Sequence, residues 1–164
     1  ELTSLLFLDI ETTGLYPERG AKITEVALLN RSEVVLSWFR NAKDPNEPYI
    51  SELLPELTKL FGKGVIVGHN VKFDLKFIAY EMERYKKSGF SVRFIDTMDL
   101  SKKIINKIAD YQLSSLLDQF NIAPDGELHS ALVDAKATRA LFWKLVEMGK
   151  LGKLSEMGIK QLNW

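Results

Sequence analysis

The sequence predicts an α/β protein with a mixed central sheet flanked by helices. Two observations lead to this prediction. Three strand-like segments follow one another near the N-terminus, and two later ones alternate with helical patterns. Strands joined by tight turns pair antiparallel, whereas strands joined through helices become parallel neighbours. We therefore expect three antiparallel strands and then two parallel ones, with helices covering the faces of the sheet.

The N-terminal half supplies the antiparallel part of the predicted sheet. Residues 4–10 are almost entirely apolar and have the length of one strand. Residues 23–30 and 33–40 form two more predicted strands, and the short polar turn between them indicates a hairpin. Residues 41–48 contain two prolines and are predicted to form a loop.

Helical spacing of apolar residues dominates the rest of the chain. The predicted helices cover residues 49–61, about 71–87, 97–108, 112–120 and 130–148, and short apolar strands are predicted at 65–67 and 92–96. Asn70 precedes the second helix and Ser130 precedes the last one. Both residue types are favoured at helix N-caps, so we expect Asn70 at the N-cap of the second helix and take Ser130 as the candidate N-cap of the last one.

Length and composition predict one domain, residues 1–150, and a weakly patterned tail, residues 151–164, that docks or links to a neighbour. The chain has 164 residues, 46% of them hydrophobic and 27% charged, which is typical of a globular protein. It has no cysteine, which excludes disulfides and thiolate metal sites. No apolar run reaches the roughly 18 residues of a membrane span. We therefore expect a cytoplasmic protein without a membrane partner.

The charges of the chain balance, with 22 basic and 22 acidic side chains. Proteins that coat long duplex DNA through phosphate contacts are usually basic. A neutral chain therefore argues against an extended DNA-coating protein, but it is compatible with a protein that grips a short stretch of nucleic acid.

Two acids, Asp9 and Glu11, interrupt the first predicted strand. Side chains alternate across a strand, so both acids share one face, about 6–7 Å apart along it. That face also carries Leu5 and Phe7. Two carboxylates in a partly apolar setting raise each other's pKa unless a cation lies between them, and divalent ions with oxygen ligands are the usual solution. The alternative is an exposed strand end at which water solvates both acids.

A third acid, Asp74, lies on the apolar side of the second predicted helix. It is three and four residues from Phe77 and Ile78, so it shares their core-facing side. Acids of a helix normally face solvent, as we expect for Glu81 and Glu83. Asp74 therefore needs a partner, which could be a metal ion, a salt bridge or the end of a neighbouring helix.

The fourth acid, Asp134, lies early in the last predicted helix, with His129 just before that helix. On one helix, residues five apart diverge by about 140°. A histidine that precedes the helix is not held to this angle, so its side chain can approach the same point as the side chain of Asp134. The alternatives are a solvated loop histidine and a first-turn acid favoured by the helix dipole.

Three segments resemble the three motifs of the DEDDh 3′–5′ exonucleases. They are FLDIETTGL (7–15), GHNVKFDLKFI (68–78) and HSALVDA (129–135), and they occur in the family's order. This family includes the proofreading exonuclease of bacterial replicative DNA polymerases and several RNA-trimming enzymes. The resemblance implies an RNase H-like fold and two bound divalent cations, Mg²⁺ or Mn²⁺.

The resemblance also assigns roles to individual positions. The metal ligands would be Asp9, Glu11, Asp74 and Asp134, which together with the general base His129 form the catalytic set. A sister group of enzymes carries a tyrosine base at the position of Ser130, so the histidine version fits. The residues implied to hold the terminal nucleotide are Thr12, Thr13, Leu15, His69, Asn70 and Phe73. The role of Glu25, in an otherwise apolar strand, stays open.

The implied function is a metal-dependent 3′–5′ exonuclease. It would act on single-stranded 3′ ends of DNA, release nucleoside 5′-monophosphates and serve proofreading or repair, with a DNA polymerase subunit as a candidate partner. One departure from the family is a short segment at residues 41–54, which in relatives helps to shape the substrate groove.

Three alternatives accompany this reading. RNA 3′-end trimming would use the same core. A calcium-binding loop is disfavoured, because Gly20 stands where an EF-hand needs glutamate. An inactive polymerase-binding adaptor is disfavoured because all five catalytic positions are filled.

Overall fold

A six-stranded mixed sheet organises the residues that the computed structural model describes, 4–40 and 49–164. The strands are β1 (Ser4–Thr12), β2 (Ile23–Leu29), β3 (Val34–Phe39), β4 (Gly64–Gly68), β5 (Ser91–Asp96) and β6 (Lys160–Asn163). The helices are α1 (Ile50–Phe61), α2 (Val71–Arg84), α3 (Thr97–Ile104), α4 (Leu113–Gln119) and α5 (Ala131–Gly149). Short 3₁₀ helices cover Pro17–Arg19 and Leu154–Met157.

The strand order is β3-β2-β1-β4-β5-β6. Strands β1, β2 and β3 pair antiparallel, whereas β4 is parallel to both β1 and β5. This arrangement confirms the predicted mixed sheet with flanking helices. The loop predicted at residues 41–48 lies outside the described residues, as does most of the short segment that departs from the family.

The sixth strand, β6, was not predicted. It pairs antiparallel with β5, and the backbone N–H of Trp164 donates to the carbonyl of Phe90 at 2.8 Å. The rings of these two residues lie 5.2 Å apart. Four residues with one partly buried side chain, Leu162, leave no periodic signal in the sequence. The C-terminal end of the predicted tail thus lies in the sheet, while the domain boundary itself stays a prediction.

The two faces of the sheet carry separate hydrophobic clusters, and β1 contributes to both. Leu6, Leu8 and Ile10 pack with α1 and α2. Leu5 and Phe7 pack with α5 on the opposite face. This confirms the predicted alternation along β1. It also means that the face on which Asp9 and Glu11 lie is the one that α5 covers.

Two helices end earlier than predicted. Helix α2 ends at Arg84, and Lys86 just beyond it has a left-handed backbone with φ of 52°. Helix α3 ends at Ile104 because the extended backbone of Ile105 turns its side chain into the core. Within the described ranges, no helix is both long and apolar enough to cross a membrane.

Candidate active site

Three carboxylates meet where β1 ends beneath the start of α5. One oxygen each from Asp9, Glu11 and Asp134 can be chosen so that all three lie within 4.8 Å of one another. Strand β1 presents the first two on the same face, and α5 brings the third because it packs across β1 and β2. Residues more than 120 positions apart in the sequence thus form one acidic cluster, which we call the acid cluster.

Asp74 approaches this cluster from the other layer of the protein. It lies in the first turn of α2, is only 5% exposed, and its Oδ2 accepts a hydrogen bond from the backbone N–H of Ile10 at 3.2 Å. It is not one of the three residues whose oxygens lie within 4.8 Å of one another. Its charge is nevertheless close enough to Asp9 to be the largest charged influence on the pKa of that residue.

Burial and mutual repulsion disturb the ionisation of all four acids. Burial raises the pKa of Asp9 well above its usual range, and the charges of Asp74 and Asp134 raise it further. Burial and the neighbouring Asp134 raise the pKa of Glu11 to about 7. The pKa values of Asp74 and Asp134 are also raised, in both cases mainly by burial. Without a positive partner, this site therefore holds protons into the neutral range.

The acid cluster fits a divalent cation. The Oδ2 atom of Asp9 is buried and has no hydrogen-bond partner among the described residues. A buried carboxylate oxygen without a partner is costly, and a metal ion would satisfy it. Hard ions such as Mg²⁺ and Mn²⁺ prefer clustered carboxylate oxygens of this kind.

His129 lies beside the acid cluster, two residues before α5 begins. Its backbone N–H donates to Oδ1 of Asp134 at 3.1 Å, and its φ of 76° places it in the left-handed region. The residue is exposed, and its ring has no hydrogen bond to any other part of the described chain. The main chain of His129 is therefore fixed next to the acids while its imidazole can reorient.

The first N–H of α5 is bound by a residue from another element. Oε2 of Glu25, on β2, accepts a hydrogen bond from the N–H of Ala131 at 2.8 Å. Ser130 occupies the expected N-cap position, but its side chain makes no capping bond. Glu25 also lies directly opposite Glu11 in the β1–β2 pairing, beside the acid cluster. Only the folded sheet places it there, which is why the sequence left its role open.

The loop after β1 is shaped by two threonines. Thr12 donates its hydroxyl hydrogen to the carbonyl of Gly14 at 2.7 Å, and the hydroxyl of Thr13 accepts from the backbone N–H of Lys22 at 2.9 Å. Leu15 follows with 66% of its surface exposed. Both threonine side chains therefore hold the loop, and Leu15 is the apolar side chain that it presents to solvent.

His69 and Phe73 lie at the start of α2. The two ring nitrogens of His69 lie 2.7 Å from the hydroxyl of Thr97 and 2.7 Å from the carbonyl of Tyr111. The Tyr111 carbonyl accepts from Nε2–H, burial lowers the pKa of His69, and the Thr97 hydroxyl also lies 3.2 Å from the carbonyl of Gly68. Phe73 is half-buried, with its ring 4.9 Å from that of Phe77. His69 is thus anchored within the protein, whereas Phe73 keeps one side accessible.

Asp96 caps two helices at once. Its carboxylate accepts hydrogen bonds from the N–H groups of Asn70 and Val71 at the start of α2, at 2.9 and 3.2 Å. It also accepts from Met98 at the start of α3, at 2.9 Å. Asn70 itself is exposed in a left-handed conformation and its side chain makes no capping bond. Asn70 therefore occupies the predicted N-cap position, but the Asp96 carboxylate supplies the capping bonds.

A known protein-family profile matches more than half of this chain. The profile RNase_T, described as "Exonuclease", matches residues 39–142. The matched range contains the second and third motif segments, and the first motif precedes it. The match covers well over half of the chain.

Relatives by sequence extend the similarity to nearly the whole chain. The DNA polymerase III subunit epsilon of Aquifex aeolicus is 32% identical, over 88% of this chain and 81% of that protein. A PolC-type DNA polymerase III of Thermotoga maritima is 28% identical over 94% of this chain. The chain spans only 13% of the length of this second relative.

The fold is shared with solved exonuclease structures. The nuclease domain of 3′hExo, described as a DEDDh family member bound to rAMP, aligns over 96% of both chains with a TM-score of 0.71. At 15% identity this likeness shows the fold alone, and it confirms the predicted RNase H-like architecture. With the profile match and the Aquifex relative, it follows that the chain belongs to the exonuclease family and, by its three motifs, to the DEDDh-type 3′–5′ exonucleases.

Proposed function

We propose that this enzyme removes nucleotides from the 3′ end of single-stranded DNA and releases nucleoside 5′-monophosphates. The observation that carries the proposal is the acid cluster: three carboxylates with oxygens within 4.8 Å, one of them, Asp9, with a buried and unpartnered oxygen. Such a cluster beside an exposed histidine suits phosphodiester hydrolysis better than structural metal binding, because the histidine could take a proton from an attacking water.

Four residues would hold the cations in this proposal: Asp9, Glu11, Asp74 and Asp134. When bound, a pair of divalent cations supplies a hydroxide nucleophile and neutralises charge on the phosphate. Asp9 is the acid that the others crowd most, because Asp74 and Asp134 both lie close enough to raise its pKa. The mutual repulsion of these acids becomes a favourable attraction once positive charge lies among them.

His129 is the proposed general base. Its backbone bond to Asp134 keeps it at the edge of the acid cluster, and its exposed ring can turn toward the attacking water. An imidazole is a common general base in such reactions. The ring would take the proton of that water and pass it to bulk solvent.

The residues around the acid cluster suit the 3′ end of a nucleic-acid strand, whatever its base sequence. Leu15 is exposed and Phe73 is half-buried, so both have apolar surface that can pack on the terminal base. The loop that Thr12 and Thr13 hold offers backbone groups to the sugar and phosphate. Asn70, exposed at the start of α2, is the remaining candidate contact.

Proofreading or repair is the proposed cellular role, with a DNA polymerase subunit as partner. The Aquifex relative, which is named a subunit of DNA polymerase III, supports this proposal. The same carboxylates would also serve RNA ends, and a contact to the 2′-hydroxyl group would decide between the two polymers.

A time course with 5′-labelled oligonucleotides tests the function. Single-stranded DNA and RNA of the same sequence are incubated with Mg²⁺ or Mn²⁺, and products are separated by length. We expect a ladder that shortens from the 3′ end, faster for DNA, with mononucleotides as the second product. Unchanged degradation in excess chelator would contradict the metal-dependent mechanism, and faster RNA cleavage would favour the trimming alternative.

A further inference from the structure

A surface groove, which we call the Trp143 pocket, lies at the end of the sheet opposite the acid cluster. Ser4 and Leu5, at the start of β1, line it together with the β2–β3 turn, the last turns of α5 and the segment after α5. Asp9 lies four residues further along β1 than Leu5, which is about 13 Å at the rise of a strand. The pocket has a volume of about 710 Å³, and its lining contains none of the four proposed metal ligands.

The interior of the Trp143 pocket is apolar, while its rim is open to solvent. The apolar lining consists of Leu5, Trp143, Val146, Leu151, Leu154 and Met157. These side chains are buried or half-buried, whereas the lining residues Arg31, Ser32, Gly152 and Lys153 are exposed. Apolar side chains of a ligand would displace water from such an interior, which favours binding. The open rim makes the pocket accessible to a segment of another chain.

Arg31, at the rim, is held in place before any ligand arrives. Its guanidinium lies over the indole ring of Trp143, 4.5 Å from the ring centre. Two N–H groups of the same turn donate to Oδ1 of Asn30, at 2.9 and 2.7 Å, and Arg139 of α5 donates to the Asn30 carbonyl at 3.1 Å. A guanidinium stacked on a ring can still bind a carboxylate through its N–H groups. Such preorganisation lowers the entropy cost of binding.

Lys153 adds a second positive charge to the lining of the Trp143 pocket. Its backbone is fixed by Glu156, whose Oε2 accepts from the N–H groups of Gly152 and Lys153 at 2.8 and 3.1 Å. None of the ion pairs among the described residues involves Arg31 or Lys153. No acidic side chain from the described ranges lines the pocket. The lining is therefore positively charged, although the chain as a whole is neutral.

These charges and the apolar interior together narrow the class of partner. A nucleic-acid strand carries a negative charge on every phosphate, so it would match a row of cations better than two cations beside an apolar interior. We propose that the Trp143 pocket docks a short segment of a partner protein in which acidic side chains stand next to apolar ones. The acid would pair with Arg31 and Lys153, and the apolar side chains would fill the interior. This proposal does not depend on the exonuclease function, since the pocket and the acid cluster share no residue.

Two variants block the Trp143 pocket in different ways. Arg31→Glu reverses the charge at the rim. Gly152→Trp places an indole in the groove; a Cβ added at Gly152 meets no atom within 4 Å, and Gly152 does not have a positive φ, so the fold should tolerate it. Lys59→Glu makes a similar charge change on an exposed position of α1, which packs on the opposite face of the sheet, and serves as the control.

An array of short synthetic peptides with blocked termini tests the proposal. Each peptide carries one or two glutamates among leucine, phenylalanine and serine in varied order, and the peptides that bind the wild-type protein are labelled and titrated by fluorescence anisotropy. We expect binding only where glutamate stands next to apolar residues. Arg31→Glu and Gly152→Trp should each weaken this binding at least about tenfold, and Lys59→Glu should leave it unchanged. Changing the peptide's glutamate to glutamine should also weaken it.

A labelled single-stranded oligonucleotide, titrated in excess chelator, is the comparison. If its affinity falls in Arg31→Glu and Gly152→Trp while peptide binding does not, the pocket contacts nucleic acid and the peptide proposal is wrong. An array without any binding peptide, or peptide binding that is unchanged in both pocket variants, would also overturn it. Melting temperatures show which variants are folded, and either pocket variant alone is sufficient for the test. Because no hydrolysis is measured, the result is independent of the exonuclease assay.

Discussion

The carboxylate of Glu25 accepts a hydrogen bond from the backbone N–H of Ala131 at 2.8 Å, across 106 positions of the sequence. Glu25 lies opposite Glu11 in the sheet, and Ala131 begins the helix that carries Asp134. This one bond therefore connects the two elements that supply the acid cluster. We infer that it positions Asp134 relative to the acids of β1.

Replacing Glu25 should weaken metal binding. We expect Glu25→Ala to cost about 0.5–2 kcal/mol of unfolding free energy, as other lost helix caps do. Asp134 would then no longer be held in position relative to the acids of β1. Mn²⁺ affinity should therefore fall about 10–100-fold, as it does when groups that orient metal ligands are removed. Urea unfolding and titration with Mn²⁺, without nucleic acid, measure the two effects.

Two further variants separate the hydrogen bond from the charge of Glu25. Glu25→Gln keeps an acceptor for Ala131 and should retain most of the stability and metal affinity. Glu33→Ala removes an exposed acid next to the β2–β3 turn and serves as the control. Wild-type Mn²⁺ affinity in Glu25→Ala would show that the bond does not position the acids.

Asp9→Asn should abolish activity while making the metal-free protein more stable. The change removes the carboxylate whose pKa is raised by burial and by four acidic neighbours at once. Loss of several kcal/mol of transition-state stabilisation corresponds to a rate reduction on the order of a thousandfold or more. Exonuclease rates and melting temperatures in chelator test both effects, and the exposed Asp118→Asn is the control. A less stable metal-free Asp9→Asn protein would contradict the proposed repulsion.

The stability of the metal-free protein should fall as pH rises from about 5 to 8. In the folded protein the pKa of Glu11 is about 7, above its ordinary 4.5, so the folded state holds this proton more tightly than the unfolded chain does. The stabilisation is complete below pH 4.5 and is lost as pH rises through 7. The raised pKa values of Asp9, Asp74 and Asp134 act in the same direction.

Divalent metal should reverse this loss. At 100 times its Kd a ligand adds about 2.7 kcal/mol of stability, or roughly 5–11 °C in melting temperature for a domain of this size. The gain should be large at pH 8 and small at pH 5, where protons compete for the carboxylates. Thermal melts at several pH values, with chelator or with Mn²⁺, measure it. A melting temperature in chelator that rises with pH would be the opposite of the expected result.

His129→Asn should reduce turnover without weakening metal binding. Loss of a general base costs about 10²–10⁴-fold in rate, and the pH dependence of turnover should flatten. Asparagine is the better substitution than alanine because His129 has a φ of 76°, a conformation that asparagine tolerates. Mn²⁺-induced stabilisation shows that the site remains intact. Normal turnover in His129→Asn and His129→Ala would exclude the residue as the base.

Features that repeat along a single element could be predicted from the sequence. The alternation along β1 predicts which face carries Asp9 and Glu11, because burial imposes a period of two on any strand that divides two cores. The helical period likewise predicts that Asp74 faces inward. For these residues, the neighbouring positions in the sequence are enough to predict which way the side chain faces.

Features that depend on partners distant in sequence could not be predicted in this way. Asn70 and Ser130 have the right residue types for helix caps, yet Asp96 and Glu25 provide the bonds because the sheet brings them to the helix ends. Glu81 resembles a solvent-facing acid, yet it is 1% exposed, beside residues of the β2–β3 hairpin and the start of α1. In each case tertiary proximity outweighs local preference.

Asp96→Ala should destabilise the protein far more than any change at Asn70. The Asp96 carboxylate satisfies three N–H groups at the starts of α2 and α3, and their loss should cost about 2–4 kcal/mol of unfolding free energy. Asn70→Gly should be nearly neutral, because its side chain caps nothing and glycine adopts a φ of 55° without strain. Urea unfolding of both variants measures the difference. An equal loss of unfolding free energy in the two variants would contradict the conclusion that Asp96, and not the Asn70 side chain, caps α2.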